Sequence, residues 1–123
     1  MCTTSAPESV DGVLDLMSRE RKAKFELVLA GDVVAKKKPD PEIYDLARTT
    51  LNLAAHDCVV IEDSKNGLRA ALGAGMPCLI TTSTYTRDED FTGAARVVPE
   101  LGDAPNVLVT LKDLREIAAQ CAA

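Results

Sequence analysis

Two short runs of apolar residues near the middle of the chain predict buried β-strands. They span residues 58–61 and 78–81, and an almost unbroken apolar run between polar turns is typical of a strand covered on both faces. The segment between them predicts a helix, with Asp63 or Ser64 as its cap and Gly73 near its end. A strand, a helix and a second strand at this spacing indicate a parallel pair joined by a right-handed crossover.

Three further helices follow from apolar residues at helical spacing and from their capping residues. The first begins after a capping box formed by Ser5 and Glu8. The second begins at Asp40 and Pro41, and the last begins after Thr110. The residues expected to face the core are Val10, Val13, Leu14, Met17, Ile43, Leu46, Ala47, Leu51, Leu111, Leu114, Ile117, Ala118 and Cys121.

Apolar runs at residues 25–29 and 95–98 predict two more strands, the second of them at an edge of the sheet. Alternating strands and helices predict an α/β fold, a three-layer Rossmann-like open parallel sheet. Ligands of such sheets bind beyond the carboxyl ends of the strands. Residues 31–38 and the acid pair Glu62–Asp63 both follow strands, so we expect the functional site there.

Composition and charge narrow the function further. The chain has 123 residues, which fits one domain, and a formal charge of −5 at neutral pH. An acidic chain without a basic stripe, and with 3% aromatic residues, lacks the features of nucleic-acid binding. No apolar stretch is long enough to span a membrane. These features predict a soluble, intracellular protein whose partner is a small molecule.

The acids at the end of the first buried run are candidate metal ligands. Glu62 and Asp63 are hard oxygen donors of the kind that Mg²⁺ prefers, and that ion needs only one or two protein carboxylates together with a phosphate. The alternative is that Asp63 or Ser64 serves only as a helix cap and that Glu62 is a surface anion. Spacing alone does not separate the two interpretations.

A lysine and a group of hydroxyls are candidate phosphate ligands. Lys38 precedes Pro39, which restricts its backbone, and a fixed ammonium beside carboxylates suits a phosphoryl group. The alternative is that the three consecutive lysines form a solvated surface run. Residues 3–5 place hydroxyls before a helix, where they could bind phosphate or act only as caps. His56 is assigned to a surface turn.

Three segments together resemble motifs of the haloacid dehalogenase superfamily in order and spacing. They are Thr3, the run Lys38-Pro39-Asp40-Pro41, and the run Glu62-Asp63-Ser64-Lys65-Asn66-Gly67. The segment from Gly31 into the lysines and the segment 85–91 are similar to the CbbY-like branch, which is close to β-phosphoglucomutase. The resemblance covers residues 1–102, and residues 103–123 form a C-terminal helical region outside it.

The resemblance implies a Mg²⁺-dependent phosphohydrolase that acts on a small sugar phosphate, such as a pentulose bisphosphate, through an aspartyl phosphate. It assigns Thr3 and Thr4 to phosphate binding, Lys38 to the clamp on phosphate and nucleophile, and Glu62 with Asp63 to the metal. Residues Ser64 and Asn66 would support the metal loop. The plant members of this branch imply a plastid, and otherwise the cytoplasm is expected.

The family's nucleophile motif, Asp-x-Asp after an apolar strand, does not occur in these 123 residues. The one match to those letters, residues 88–90, lies in a polar loop. In the family's sheet, strands lie between the segments at 25–29 and 58–61 that this chain does not supply. We therefore expect the chain to be the C-terminal part of a catalytic core, with the first strand, the cap and most of the second strand missing, and to be inactive alone. The alternatives are a β-phosphoglucomutase-like phosphotransferase and a non-catalytic module that binds phosphate and Mg²⁺; oligomeric state is left open.

Overall fold

A computed structural model describes residues 1–122 of the chain as helices around a three-stranded parallel sheet. The helices α1 (Pro7–Asp15), α2 (Arg19–Lys22) and α3 (Glu42–Thr50) precede the sheet. Strand β1 (Val60–Glu62), helix α4 (Lys65–Gly73), strand β2 (Cys78–Thr81), strand β3 (Arg96–Val98) and helix α5 (Leu111–Ala122) then follow in order. A single 3₁₀ turn, Ala55–Asp57, leads into β1.

The sheet has the order β1-β2-β3, with both pairings parallel. Val60 is opposite Cys78 in the first pair, and Leu79 is opposite Arg96 in the second. Three of the four residues of β2 are fully buried because strands flank it on both edges and helices cover it. The predicted α/β class and open parallel sheet are confirmed.

The central helix α4 follows the sequence closely. Ser64 is its N-cap, and its hydroxyl accepts a hydrogen bond from the Gly67 amide at 3.2 Å. The helix ends at Gly73, and Gly75 adopts φ +73°, which lets the chain turn toward β2. Leu68, Ala70 and Ala71 lie on its buried face, so α4 packs onto the sheet.

The first predicted helix forms, but not with the predicted cap. Helix α1 begins at Pro7 with Ala6 as N-cap, and no side chain caps it, so the expected capping box of Ser5 and Glu8 is wrong. Pro7 in the first turn replaces it because its missing N–H leaves one donor fewer to satisfy. Val13, expected to face the core, is 56% exposed, whereas Val10 and Leu14 are buried.

The strand expected at residues 25–29 is reduced to one isolated bridge, Cys2 with Leu29. Residues 1–5 and 27–31 still run side by side: the Leu29 amide donates to the Met1 carbonyl at 2.8 Å, and the Thr3 amide donates to the Leu29 carbonyl at 2.9 Å. Phe25 and Val28 are more than a third exposed. The pairing stays short because, within residues 1–122, these segments have only each other as partners.

One main core connects these parts. Buried side chains from the bridge, from α3, from α4 and from the sheet contact one another in a single cluster: Leu29, Val34, Ile43, Tyr44, Val60, Leu68, Ala70, Ala71, Ala74, Met76, Cys78 and Ile80. A small satellite under α1 contains Val10, Leu14 and Ala30. On the opposite face of the sheet, Leu79 packs against Val98 and Ile117 of α5. Of the other predicted inward residues, Leu51, Leu111 and Cys121 are exposed.

None of the described helices is both long enough and apolar enough to cross a lipid bilayer. The four cysteines are free thiols: Cys78 is buried, Cys2 and Cys58 are partly buried, and Cys121 is exposed. Burial raises the pKa of the Cys78 thiol to about 12, with a further contribution from the nearby Glu62 carboxylate. Burial likewise raises the pKa values of Cys2 and Cys58.

Candidate functional site

Lys38 occupies the centre of the candidate site. Its ammonium forms an ion pair with the Glu62 carboxylate at the end of β1, and it donates a hydrogen bond to the Cys2 carbonyl at 3.1 Å. The two side chains are 13% and 11% exposed. Lys38 therefore joins the end of the first paired segment to the end of the sheet, in a setting where charges are weakly screened.

The neighbouring lysines lie in different surroundings. Lys36 and Lys37 are exposed, and Lys37 pairs with Asp32 at 2.8 Å on the surface. The Lys37 ammonium lowers the pKa of Asp32, which is itself fully in solvent. The alternative interpretation of the three lysines as a solvated run thus describes Lys36 and Lys37, whereas the Lys38 side chain is folded inward.

Two residues of the following turn hold the loop that carries Lys38. The Glu42 carboxylate accepts hydrogen bonds from the Lys36 amide at 2.8 Å and the Ala35 amide at 3.3 Å. The Asp40 carboxylate accepts one from the Glu42 amide at 3.0 Å, although the formal N-cap of α3 is Pro41. Sequence reasoning assigned no role to Glu42, and only its place in the first turn of a helix pointed to such a contact.

Tyr44 is a second residue that sequence reasoning missed. Its ring is buried in the core, its hydroxyl donates to the same Glu62 oxygen that accepts from Lys38, and the Lys38 ammonium lies 4.9 Å from the ring centroid. Burial and the adjacent Glu62 carboxylate raise the pKa of Tyr44 well above its usual range. The phenol therefore stays protonated and acts as a hydrogen-bond donor.

Gly67 leaves the space in which the Glu62 carboxylate lies. A Cβ at this position in the first turn of α4 would collide with the Glu62 side chain. The glycine was part of the predicted motif, but sequence reasoning gave it no role. Its lack of a side chain lets Glu62 turn under the start of α4 and reach Lys38.

Asp63 has different surroundings from Glu62, as the alternation of side chains along a strand requires. It is exposed just beyond β1, and its carboxylate has no hydrogen-bond or ion-pair partner among residues 1–122. Asp63 thus offers a free carboxylate at the carboxyl end of the strand, whereas Glu62 is already bound by Lys38 and Tyr44.

This donor set fits Mg²⁺ only in part. One free hard oxygen donor suits an ion that keeps several waters and shares its remaining positions with phosphate. Within residues 1–122, no group of three or more His, Cys, Asp or Glu side chains is arranged to hold a metal. A complete magnesium site therefore needs oxygens beyond those that Asp63 and Glu62 supply.

Thr3 and Thr4 directly follow Cys2, whose carbonyl accepts the hydrogen bond from Lys38. Thr3 is partly buried and its hydroxyl accepts a hydrogen bond from the Ser5 amide at 3.1 Å, while Thr4 is exposed. Both residues precede α1, which starts at Pro7. They are thus turn residues at the end of the paired segment.

The remaining candidates are placed around the start of α4. The Ser64 hydroxyl caps the helix, and Asn66 is exposed in its first turn. Glu89, from the loop after β2, accepts a hydrogen bond from the Lys65 amide at 2.5 Å, which brings that polar loop next to Asp63 and Ser64. His56 is exposed in the 3₁₀ turn and lies 3.8 Å from Asp57, as a surface residue would.

A cleft of about 540 Å³ separates the paired segment from β1. Met1, Cys2 and Leu27 line one wall, and Val59 and Ile61 line the other. Within residues 1–122, β1 pairs with β2 alone, and residue 2 pairs with Leu29 alone, so both walls present a strand edge that faces no other strand. Ile61 is 43% exposed there. Lys38 and Asp63 are not part of the cleft lining, but Lys38 contacts Cys2 and Tyr44, which are.

Comparison with known proteins shows the family of the chain. A family model of haloacid dehalogenase-like hydrolases matches residues 1–75, a range that contains Thr3, Lys38 and Glu62–Asp63. The chain belongs to this family. The resemblance predicted from the three motifs, including the CbbY-like branch, is confirmed.

The relatives of this haloacid dehalogenase-like chain are longer than the chain itself. A CBBY-like protein of Arabidopsis thaliana is 47% identical over 105 residues, which cover 85% of this chain and 33% of that protein. The chain spans between 33% and 46% of the length of five curated relatives.

Two solved structures of CbbY from Rhodobacter sphaeroides are also similar to the chain. One is a complex with phosphate, at 51% identity and a TM-score of 0.57, covering 59% of this chain and 34% of CbbY. The other is an Asp-to-Asn mutant in complex with xylulose-(1,5)bisphosphate, at 51% identity and a TM-score of 0.57, covering 58% of this chain and 32% of CbbY.

Proposed function

We propose that the chain is the C-terminal part of a Mg²⁺-dependent phosphohydrolase that acts on a small sugar phosphate. The observation that carries this proposal is the inward-folded Lys38, ion-paired at the end of β1 one residue from the free carboxylate of Asp63. A positive charge and a free acid at the carboxyl end of one strand suit the binding of a metal-bound phosphoryl group. The family membership gives the reaction class.

The candidate residues of the chain would have separate roles in binding the metal ion and the phosphate. Asp63 would bind Mg²⁺ directly, and Glu62 would hold Lys38 in place and contact the ion only through a water or a shift of its side chain. When bound, Mg²⁺ polarises the phosphoryl oxygens and offsets their charge. Lys38 would contact a phosphate oxygen with the donors that Glu62 and Cys2 leave free. Thr3 and Thr4 would add hydroxyl or amide donors, and Ser64 and Asn66 would keep the acid loop in place.

The nucleophile would come from a segment outside these 123 residues. Its aspartate would attack phosphorus while the bond to the sugar oxygen breaks, a general acid would protonate the leaving alkoxide, and water would release phosphate from the aspartyl phosphate. The cleft between Cys2 and β1 supports this division, because its two free edges suit an inserted strand ending beside Lys38 and Asp63. Residues 1–102 would then be the part of the core supplied here, and 103–123 its closing helical region.

The substrate class in this proposal is a pentulose bisphosphate. It is supported by the CbbY structures, which contain phosphate and xylulose-(1,5)bisphosphate, and by the CBBY-like plant relative, which also favours a plastid as the compartment. A phosphotransferase of the β-phosphoglucomutase type would need the same Lys38 and Asp63. The two reactions differ in whether water or a sugar hydroxyl receives the phosphoryl group, so product analysis separates them.

The first experiment measures Mg²⁺-dependent release of phosphate from p-nitrophenyl phosphate by the purified 123-residue chain. We expect no turnover, because in this proposal the nucleophilic aspartate lies outside these 123 residues. Robust turnover that Lys38→Ala abolishes would contradict this expectation. We also expect the chain to bind inorganic phosphate in the presence of Mg²⁺. Loss of this binding in Lys38→Ala, but not in Lys37→Ala, would support the phosphate site itself.

The second experiment uses the polypeptide encoded by the complete coding sequence. An in-frame upstream Asp-x-Asp motif and hydrolysis of xylulose 1,5-bisphosphate are expected, with Lys38→Ala lowering kcat/KM by about 10²–10³ as for other lost transition-state donors. Lys37→Ala is the matched control and leaves kcat/KM unchanged. A complete coding sequence without that motif would favour the non-catalytic binding module.

A further inference from the structure

We propose that Tyr44 is the positioning residue that directs the Lys38 ammonium by holding both members of the Lys38–Glu62 pair. The inference rests on the proposed function for its consequence, phosphate binding, but its structural part stands on contacts within the chain. Tyr44 is buried in the first turn of α3, six residues after Lys38, and it contacts both members of the ion pair.

Two contacts of the Tyr44 side chain support this positioning role. The Tyr44 hydroxyl donates to the Glu62 oxygen that also accepts from Lys38, and the Tyr44 ring lies 4.9 Å from the Lys38 ammonium. The hydroxyl shares the negative charge of that oxygen, which weakens the hold of Glu62 on the lysine. The ring attracts the ammonium from a second direction. Together the two contacts leave Lys38 donors free for an anion.

The surroundings of Tyr44 favour a positioning role over simple filling of the core. If Tyr44 only filled the core, a phenylalanine would serve equally well, because burying a hydroxyl without a hydrogen-bond partner is unfavourable. Here the hydroxyl meets a carboxylate that is one residue from Asp63. Gly67 leaves room for that carboxylate to reach Tyr44, since a Cβ there would collide with Glu62. Glu62 and Tyr44 thus both contact the Lys38 ammonium, and Gly67 provides the space that Glu62 needs to do so.

The test compares Tyr44→Phe, which removes only the hydroxyl, and Tyr44→Leu, which also removes the ring. The chain contains a matched control, because its other tyrosine, Tyr85, is 97% exposed and Tyr85→Phe makes the same chemical change in solvent. Two readouts are taken on the full chain. They are the ¹³C-lysine NMR signal of Lys38, assigned by its loss in Lys38→Met, and the affinity for inorganic phosphate in the presence of Mg²⁺.

In the wild type we expect the Lys38 side-chain protons to be shifted upfield of those of Lys36 and Lys37 by the aromatic ring. Tyr44→Phe displaces the Lys38 signal and weakens phosphate binding by about fivefold, the effect of one lost hydrogen bond. Tyr44→Leu moves the signal to the position of the exposed lysines and weakens binding further. Tyr85→Phe changes neither readout.

A wild-type Lys38 signal in Tyr44→Phe would overturn the proposal, and this variant decides the matter even if Tyr44→Leu fails to fold. Phosphate affinity that depends on Lys38 but is equal in wild type and Tyr44→Phe would also overturn it, and would leave the proposed function standing. Absence of phosphate binding in the wild type would count against the proposed function instead. The Lys38 signal would then still decide whether Tyr44 directs the ammonium.

Discussion

Lys38 joins two parts of the molecule that differ in strand pairing and in the burial of their side chains. In the part from β1 to β3, strand β2 has neighbours on both edges and three of its four residues are fully buried, and α4 packs on the sheet through Leu68, Ala70 and Ala71. In residues 1–31, two segments share one bridge, and the small cluster under α1 has three buried members. In this molecule the strand paired on both edges is the most buried one, and segments paired on one edge keep exposed side chains such as Val28 and Ile61.

The largest expected effect comes from removing equal volumes in the two parts. Ile80→Ala and Leu14→Ala each delete three carbon atoms, but Ile80 is fully buried in the main core and Leu14 lies in the small cluster. We expect a loss of about 4 kcal/mol in the free energy of unfolding for Ile80→Ala and about 2 kcal/mol for Leu14→Ala, because small clusters collapse more easily around a cavity.

Urea unfolding followed by circular dichroism measures both variants, with the slope checked for a common transition. Equal losses would mean that the two parts are packed alike, and the contrast drawn from burial would be lost. Two separate unfolding transitions in the wild type would strengthen the contrast between the two parts, since the parts would then unfold independently.

The second prediction concerns the ion pair that connects the parts. Lys38→Met leaves the Glu62 carboxylate with only the Tyr44 hydroxyl, in a site where it is 11% exposed, and we expect a loss of about 3 kcal/mol. The double variant Lys38→Met with Glu62→Gln should recover part of this loss, because no unpaired charge remains. A double-mutant cycle of unfolding free energies measures the coupling.

Lys37→Met is the matched control for the same change in charge and shape. Its partner Asp32 is on the surface, so the loss should be within about 0.5 kcal/mol. A loss as large as that of Lys38→Met would show that burial does not separate the two lysines.

The smallest expected effect is a pH dependence of the free energy of unfolding, which arises from the buried Cys78 thiol in β2. The Cys78 pKa is raised from 9.0 to about 12, so the folded chain keeps a proton that the unfolded chain loses. Stability from this thiol is complete below pH 9 and falls as the pH rises from 9 toward 12, by at most about 1.4 kcal/mol per pH unit. The raised pKa values of Cys2, Cys58 and Tyr44 act in the same direction.

Unfolding free energies measured between pH 8 and 10.5 test this slope. Cys78→Ala should make it shallower, whereas Cys121→Ala, which changes an exposed thiol, should leave it unchanged. An unchanged slope in Cys78→Ala would mean that the other raised groups account for the whole effect.

Elements with local signals were predicted well from the sequence. Strand β2, the cap at Ser64, the end of α4 at Gly73 and the edge strand near residue 97 agree with the structure, because apolar runs and turn residues act over a few positions. The first apolar run was predicted less well: β1 spans Val60–Glu62 rather than residues 58–61, and it is not buried on both faces, because Ile61 lines the open cleft and is 43% exposed. The capping box at Ser5 and the strand at 25–29 are not found as predicted. The first failed because Ala6 rather than Ser5 precedes the helix, and the second because pairing depends on a partner strand.

The sequence by itself determined the fold class, the family and the residue types of the candidate site. Only the tertiary structure decided which of three consecutive lysines is buried, that Glu62 faces inward and Asp63 outward, and that Tyr44 contacts the pair. Motifs record residues that are close along the chain, whereas the contacts of Lys38 with Cys2 and Glu62 cross 36 and 24 positions. Such contacts depend on how helices and strands pack, which no local pattern contains.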